Sequence, residues 1–340
     1  MKKLIKKDPI ISVIVIGYKR KTYIREAVIS ILNQTLDREK YEVIVVKSFK
    51  DKKLDSFMKK NNVNNIYLSP KYATNIGITY YEGIIHARGK ILCFLDDDDI
   101  FIKTKLETIY KKFLKDQDLV YYRNNVKGIN KIEKNIDFSY GNVKDKFAIA
   151  PKSKISGYYK FILLNYYFNS SSVCIKKYVI TKFLNNLKLI KFNPDDFLAY
   201  SALISKGRIL CDNVYLSKYR IHQENVTSNL SLANYNKSVE SFGVIRNLIK
   251  KNGNSDMLKV FDAKKERFML DYDIITGRKL GFRRVLSYWL NYSVHFLIHC
   301  HKFDKFFLLA LFALFFRRRA KRLLYNAEFK IRGNNFEQKT

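Results

Sequence analysis

The run Ile10-Ile11-Ser12-Val13-Ile14-Val15-Ile16 constrains this chain more than any other stretch. It is almost continuously apolar and β-branched, the pattern of a strand buried on both faces of a parallel sheet. Tyr41-Glu42-Val43-Ile44-Val45-Val46 and Ile91-Leu92-Cys93-Phe94-Leu95 repeat the pattern. Between the first two runs, residues 22–34 place Ile24, Ala27, Val28, Ile31 and Leu32 at helical spacing, with Thr22 as the cap. A short helix over 54–60, a strand over 66–68 and a helix over 74–87 lead to the third run. Strand and helix alternating at this spacing predict an α/β domain with a mostly parallel sheet. Ligands of such sheets bind outside the carboxyl ends of the strands.

Further on, 103–115 reads as a helix, 119–122 as a short strand, 171–175 as a strand and 195–205 as a helix. The stretch 123–170 shows no clear period. Helices are expected over 232–250 and 256–272. The organisation read from the sequence is a domain over 1–230, a helical extension over 231–275 and a basic, apolar tail over 276–340.

Charge narrows the partners. The 340 residues hold 64 Lys plus Arg against 31 Asp plus Glu, a net of +33. Such a balance favours nucleic acid, acidic lipid headgroups or a phosphorylated substrate. An AT-rich genome, read in the abundance of Lys, Asn, Ile and Tyr, accounts for the same excess without any partner. No zinc pattern, helix-turn-helix signal or RNA-binding motif is present, so no nucleic acid is expected. Cys93, Cys174, Cys211 and Cys300 stand too far apart for a disulfide framework, which suits a reducing compartment.

The basic start and its seven-residue apolar run do not make an export signal, and the sequon at Asn225-Val226-Thr227 carries little weight without one. The longest apolar run, Phe306 to Phe316, has eleven residues, where a membrane span needs about 20. It is followed by Arg317-Arg318-Arg319-Ala320-Lys321-Arg322, and a second apolar patch covers Tyr288 to Ile298. From Arg278 to Thr340 there are fourteen Lys or Arg and three Asp or Glu. The tail reads as a device for lying on an anionic membrane surface, with the protein peripheral on the inner, cytoplasmic face of the cell membrane. A buried C-terminal helix or a dimer contact is the alternative.

Leu95-Asp96-Asp97-Asp98-Asp99 is the most informative stretch for chemistry. Four adjacent carboxylates raise one another's pKa, and a hard divalent cation relieves them. Mg²⁺ or Mn²⁺ held by one or two carboxylates and substrate phosphates stabilises a leaving diphosphate. In an extended segment Asp96 and Asp98 share one side, while Asp97 and Asp99 share the other and could cap a helix beginning near Ile102. An acidic cap on a solvated loop is the plain alternative.

At this point the sequence resembles a family 2 glycosyltransferase with the GT-A fold. The resemblance is carried by 11–20, by Ala27 to Thr35, by Glu42 to Val46, by Gly83 to Ile91 and by Leu95 to Asp99, in order and spacing. It implies transfer of a sugar from a nucleoside diphosphate sugar. It implies that Asp98 holds the metal and that Asp96 contacts the donor's ribose or sugar. Asn193-Pro194-Asp195-Asp196-Phe197-Leu198 matches the acidic pair that ends in the catalytic base, which makes Asp196 the base. Leu216 to His222 resembles the family's Tyr-Arg-x-His segment, and the match spans roughly 10–230. Val46 is followed by Lys47 rather than the usual acidic residue, and Asp51 is the nearest replacement. Lys47 cannot accept a hydrogen bond from a base.

Read as chemistry, a carboxylate such as Asp196 would take the proton of an acceptor hydroxyl, and direct attack would invert the anomeric centre. Arg220 and His222 are candidates to neutralise the departing diphosphate, with His222 also a candidate metal ligand. Tyr18 and Arg20 follow the first strand, where Tyr18 could stack on a base and Arg20 meet phosphate. The expected acceptor is lipid-linked or another glycan. Two other readings stand: a sugar-phosphate nucleotidyltransferase, which would want more glycines than Gly17 near the first strand, and a non-catalytic surface-binding protein on a degenerate transferase domain.

Overall fold

The structure, a computed structural model, describes residues 8–18, 20–73, 75–150, 153–222, 225, 231–302, 304–316, 318–320 and 323. The chain divides into two units. The first runs to Lys127 and takes in Asn142–Pro151 and Tyr167–Arg220; the second takes in Gly128–Gly141, Lys152–Tyr166 and the chain from Ile221 onward.

In the first unit β1 (Ile11–Gly17), α1 (Ile24–Leu32), β2 (Tyr41–Lys47), α2 (Lys52–Lys60), β3 (Asn64–Tyr67), α3 (Ile76–His86) and β4 (Ile91–Asp96) alternate as the sequence predicts. β1 lies parallel to both β2 and β4, and β2 parallel to β3, so this half of the sheet runs β3-β2-β1-β4. All seven residues of β1 are buried, as a central strand covered on both faces requires. α1 turns Ile24, Ala27, Val28 and Ile31 inward. Its N-cap position is Tyr23, with no side-chain cap, rather than the expected Thr22. On α3 a Cβ at Gly83 would stand 2.4 Å from Ile14 Cγ2, so glycine is what lets this helix press onto β1.

The sheet continues through elements the sequence shows less clearly: β5 (Ile100–Phe101), α4 (Lys105–Lys115) and β6 (Leu119–Ile129). β7 (Asn135–Ile136) pairs with the end of β6 in the second unit. β8 (Phe147–Ile149) follows, then α5 (Ile155–Leu163), and then β9 (Val173–Lys176), which lies antiparallel to both β4 and β6. α6 (Lys177–Thr181), α7 (Leu184–Leu187), α8 (Pro194–Ile204) and β10 (Arg208–Arg220) complete the unit, with β10 antiparallel to β5 and β8. The fold is α/β, with a parallel half carrying the N-terminal strands.

The amino end of the parallel strands is tied by one carboxylate. Glu42 accepts from Ser12 Oγ (2.7 Å), from the Arg88 backbone N–H (2.6 Å) and from Arg88 Nε (3.0 Å). Gly89 N–H donates in turn to Ser12 Oγ at 2.8 Å. These charge-assisted bonds join β1, β2 and the approach to β4.

The second unit is helical after α5. α9 (Leu232–Asn252) and α10 (Ser255–Thr276) meet the expected helices and are capped by Ser231 and Asn254, whose side chains accept from Asn234 N and Met257 N. α11 (Phe282–Tyr288), a π-helical turn over Trp289–Ser293, α12 (Val294–Cys300) and α13 (Lys305–Phe315) follow. α5 packs on α10 and α12, where Tyr159 stacks on His295 and His299. No described helix is long and apolar enough to cross a membrane. Val226 and Thr227 of the sequon, and Arg317, Lys321 and Arg322 of the basic cluster, lie outside the described residues.

Candidate active site

The acidic run sits at the carboxyl end of β4, one strand from the centre of the parallel half. Asp96 ends the strand, and the chain then turns, with Asp99 N–H donating to the Asp96 carbonyl at 3.2 Å. The turn abolishes the two-sided alternation expected of an extended segment. Asp97 and Asp98 both meet Arg20: its Nη2 lies 2.6 Å from Asp97 Oδ1 and 2.5 Å from Asp98 Oδ2. Nor does any of these carboxylates cap the next helix. α4 begins at Lys105, and its N-cap Thr104 makes no side-chain bond.

The segment before β9 cradles the turn from the other side. Ser170 Oγ lies 2.9 Å from both carboxylate oxygens of Asp96, and Ser171 Oγ accepts the Asp96 N–H at 2.9 Å. Asn169, at φ 69°, donates Nδ2–H to Asp99 Oδ2 at 2.9 Å. Beneath it lies Lys105, fully buried. Its ammonium donates to Ser171 O (2.6 Å), Ser217 Oγ (2.8 Å) and Asn124 Oδ1 (3.0 Å). Burial pulls this lysine down to about 8.

Arg220, at the end of β10, is fully buried and braces the turn from within. Its backbone N–H donates to Asp99 Oδ1 and its Nε–H to the Asp98 carbonyl, both at 2.9 Å. Its Nη2 reaches Glu26 Oε2 at 2.6 Å, and its guanidinium lies 4.3 Å from the centre of the Tyr23 ring.

The electrostatics follow from this crowding. Burial pushes the Asp96 carboxyl up to about 7, with Asp98 and Asp195 acting in the same direction and Ser170 and Arg20 against it. Burial, and then Asp98, hold Asp97 and Asp99 well above the usual carboxylate range. The second acidic pair belongs to the same neighbourhood, since the charge of Asp195 acts on Asp96. Asn193, in the left-handed region at φ 50°, and Pro194 start α8, which puts Asp195 and Asp196 in its first turn. Burial raises Asp195 to about 6, while backbone N–H groups of Asp195, Asp196 and Asn169 hold it down. Asp196 is buried and held higher by that burial and by Asp195.

The remaining candidates are placed as follows. Tyr18, half-buried just past β1, donates its hydroxyl to the Ala73 carbonyl at 3.4 Å. Asp51 caps α2 by accepting from Leu54 N at 3.0 Å. Lys47 is buried, with its ammonium on the Phe49 carbonyl (2.7 Å) and on Asp55 (2.9 Å). His222 falls in the second unit, where its backbone N–H donates to Asn225 Oδ1 at 2.5 Å. The structure thus gathers Arg20, Asp96, Asp98, Asp195 and Arg220 within the first unit. It adds Asn169, Ser170, Ser171, Lys105 and Glu26, which sequence reasoning missed. The hydroxyl run Ser170-Ser171-Ser172 ahead of an apolar strand was the available signal.

These residues fit a divalent cation. Asp96 and Asp98 offer hard oxygen ligands, and Asp97 Oδ2 is a buried acceptor with no hydrogen-bond partner. Among the described residues no group of three or more His, Cys, Asp or Glu side chains is arranged to hold a metal unaided.

The comparisons with known proteins agree with this architecture. TarS 1-349 of S. aureus, solved in complex with UDP-GlcNAc, superposes with a TM-score of 0.60 at 16% identity, over 94% of this chain and 90% of that one. A mannosyltransferase from Pyrobaculum calidifontis, in complex with GDP-Man and Mn²⁺, gives 0.52 at 12% identity, over 96% and 87%. At such identities the likeness shows the fold, which is GT-A. A protein described as an uncharacterized glycosyltransferase of Rickettsia bellii is 33% identical over 134 residues, 36% of this chain. The chain spans only 17% of that relative's length. One from Methanocaldococcus jannaschii is 24% identical over 223 residues, 63% of this chain and 71% of its own. The model of glycosyl transferase family 2 matches residues 12–182, half of the chain. The expected resemblance is borne out: this chain belongs to glycosyl transferase family 2.

Proposed function

We propose that the protein transfers a sugar from a nucleoside diphosphate sugar to a hydroxyl of a lipid-linked or other glycan acceptor, with inversion at the anomeric carbon. One observation carries this reading: a buried acidic turn at the carboxyl end of β4, with Asp96 held near 7 and electrostatically coupled to Asp195 of a second acidic pair. The UDP-GlcNAc and GDP-Man complexes of the structural neighbours support a nucleotide-sugar donor.

When bound, Mn²⁺ or Mg²⁺ at Asp96 and Asp98 would supply positive charge to the leaving diphosphate. Arg20, already seated on Asp97 and Asp98, adds a guanidinium for phosphate at the same edge. Tyr18 beside it offers a ring face for a base. Arg220 works from below, keeping the Asp98 carbonyl and Asp99 fixed. Asp196 takes the acceptor's proton as general base. A second assignment, with Asp195 as the base, is favoured by its smaller burial and by a carboxyl held near 6, ionised at neutral pH.

The test is a calorimetric screen of UDP-, GDP- and dTDP-sugars with and without Mn²⁺, on wild type and Asp98→Ala. Metal-dependent binding of one donor, lost in the variant, is the expected result. No binding to any donor by the folded protein overturns the donor assignment. With the donor known, turnover of Asp195→Asn and Asp196→Asn identifies the base: its removal costs about 10²–10⁴-fold in kcat.

A further inference from the structure

We propose that α11 to α13 form a surface that docks flat on an anionic lipid headgroup layer. The core of this surface is α13. This eleven-residue helix has one charged residue, Lys305, and buries only Phe306, Ala310 and Ala313. Those three lie four and three residues apart, which makes one narrow stripe of the helix. Leu308 at 56% and Phe315 at 79% exposure stand open, and Phe307, Leu309, Leu311, Phe312 and Leu314 are half-buried.

The opening extends to α11 and the π-helical turn after it. Phe282, Leu286, Trp289 and Leu290 are spaced at four, three and one and are all exposed, while Val285 and Tyr288 on the opposite side are buried. Trp289 lies 6.2 Å from Phe307, ring centre to ring centre, which joins the two apolar surfaces. At about 1.5 Å per residue α13 is half the length a span of the hydrocarbon core needs. A helix of this kind lies in the interface rather than across it.

Charge decides what covers the surface. Residues 278–320 contain nine Lys or Arg and a single acid, Asp304. That acid is buried and turned inward: Tyr288 and Ser293 donate their hydroxyls to its Oδ2, and Phe306 N–H donates to its Oδ1. Arg283 and Lys305 are exposed on these helices, and Arg318 and Arg319 are exposed just past the end of α13. A surface with open apolar residues, exposed cations and no exposed carboxylate complements phosphate headgroups over acyl chains. It does not complement a second copy of itself, whose charges would repel.

The chain's single tryptophan makes the test direct. The 340-residue chain is mixed with vesicles of phosphatidylcholine alone or with roughly 30% phosphatidylglycerol, followed by sedimentation and Trp289 emission. Expected are binding to the anionic vesicles only, a blue shift of Trp289, and release by high salt. Arg283→Gln/Arg318→Gln/Arg319→Gln lowers the partition by about 100-fold, at about 1 kcal/mol per charge. Leu308→Ser/Phe315→Ser lowers it by roughly 10-fold. Circular dichroism and thermal melting show whether both variants fold. Equal binding to neutral and anionic vesicles, an unmoved Trp289 spectrum in the wild type, or a dimer in solution that Phe315→Ser dissociates while vesicles are ignored, each overturns the proposal.

Discussion

Asp96→Asn is expected to stabilise the protein while disabling it. The folded chain holds the Asp96 carboxyl near 7, against an ordinary value of 3.8, chiefly through burial. Between those values the folded state binds the proton more tightly than the unfolded state. Stability therefore falls as pH rises through this window, and the loss is complete above about 7. The full difference amounts to about 4 kcal/mol at alkaline pH. Asparagine keeps the shape and a partner for Ser170 but carries no charge to ionise. At pH 3.5 the two proteins should melt close together, and at pH 8.5 the variant should melt roughly 5–10 °C higher. The assay is a melting series by differential scanning fluorimetry across that range, without divalent cations. Adding Mn²⁺ and nucleotide should raise the wild type alone. Parallel melting curves for wild type and variant across the range would refute the reasoning, because they would mean that Asp96 ionises freely in the folded chain.

Three further outcomes follow from the geometry. Lys105→Met leaves Asn124 Oδ1 without its buried donor and Ser171 O with Ser217 Oγ–H alone, and should cost about 2–4 kcal/mol in urea denaturation, with weakened donor binding because Ser171 holds the Asp96 amide. Gly83→Ala gains about 1 kcal/mol in helix propensity but forces a methyl against Ile14, so a net loss of about 1–2 kcal/mol is expected by the same denaturation. Arg246→Ala breaks a solvent-exposed pair with Asp262 and should change stability by less than about 0.5 kcal/mol, a control for the other two.

The parallel half of the fold was legible because its strands are covered on both faces, and double burial writes itself as uninterrupted β-branched runs. β6 was legible only at its start. Its interior buries Arg123, Asn124 and Asn125, polar residues satisfied by Ser172, Lys105 and the chain around Val143, and no hydrophobic pattern marks such a strand. The location of the acidic site was readable from strand order and the carboxylates alone. Its geometry was not, because a turn closed by Asp99 N–H replaced the assumed extended backbone and sent Asp97 and Asp98 to the same arginine. Arg220 was read as a phosphate ligand, yet its guanidinium is engaged by Glu26 and the Asp98 carbonyl. Glu26 is nearly two hundred positions away, and nothing local announces that pairing.

The bonds around Glu42 give the parallel strands unequal ends. At the amino end a carboxylate is fully satisfied and clamps three segments together. At the carboxyl end, Asp96, Asp97 and Asp99 are held against their own preference for water. Such a sheet does not breathe evenly. Its exchange-competent openings should begin at the acidic edge, where amides of Asp96 and Asp99 trade hydrogen for deuterium well before Gly89 does. Substrates of an α/β sheet enter at that same edge, so the region that must yield to a ligand is the one the sequence has left least settled, while the far end serves as its fixed pivot.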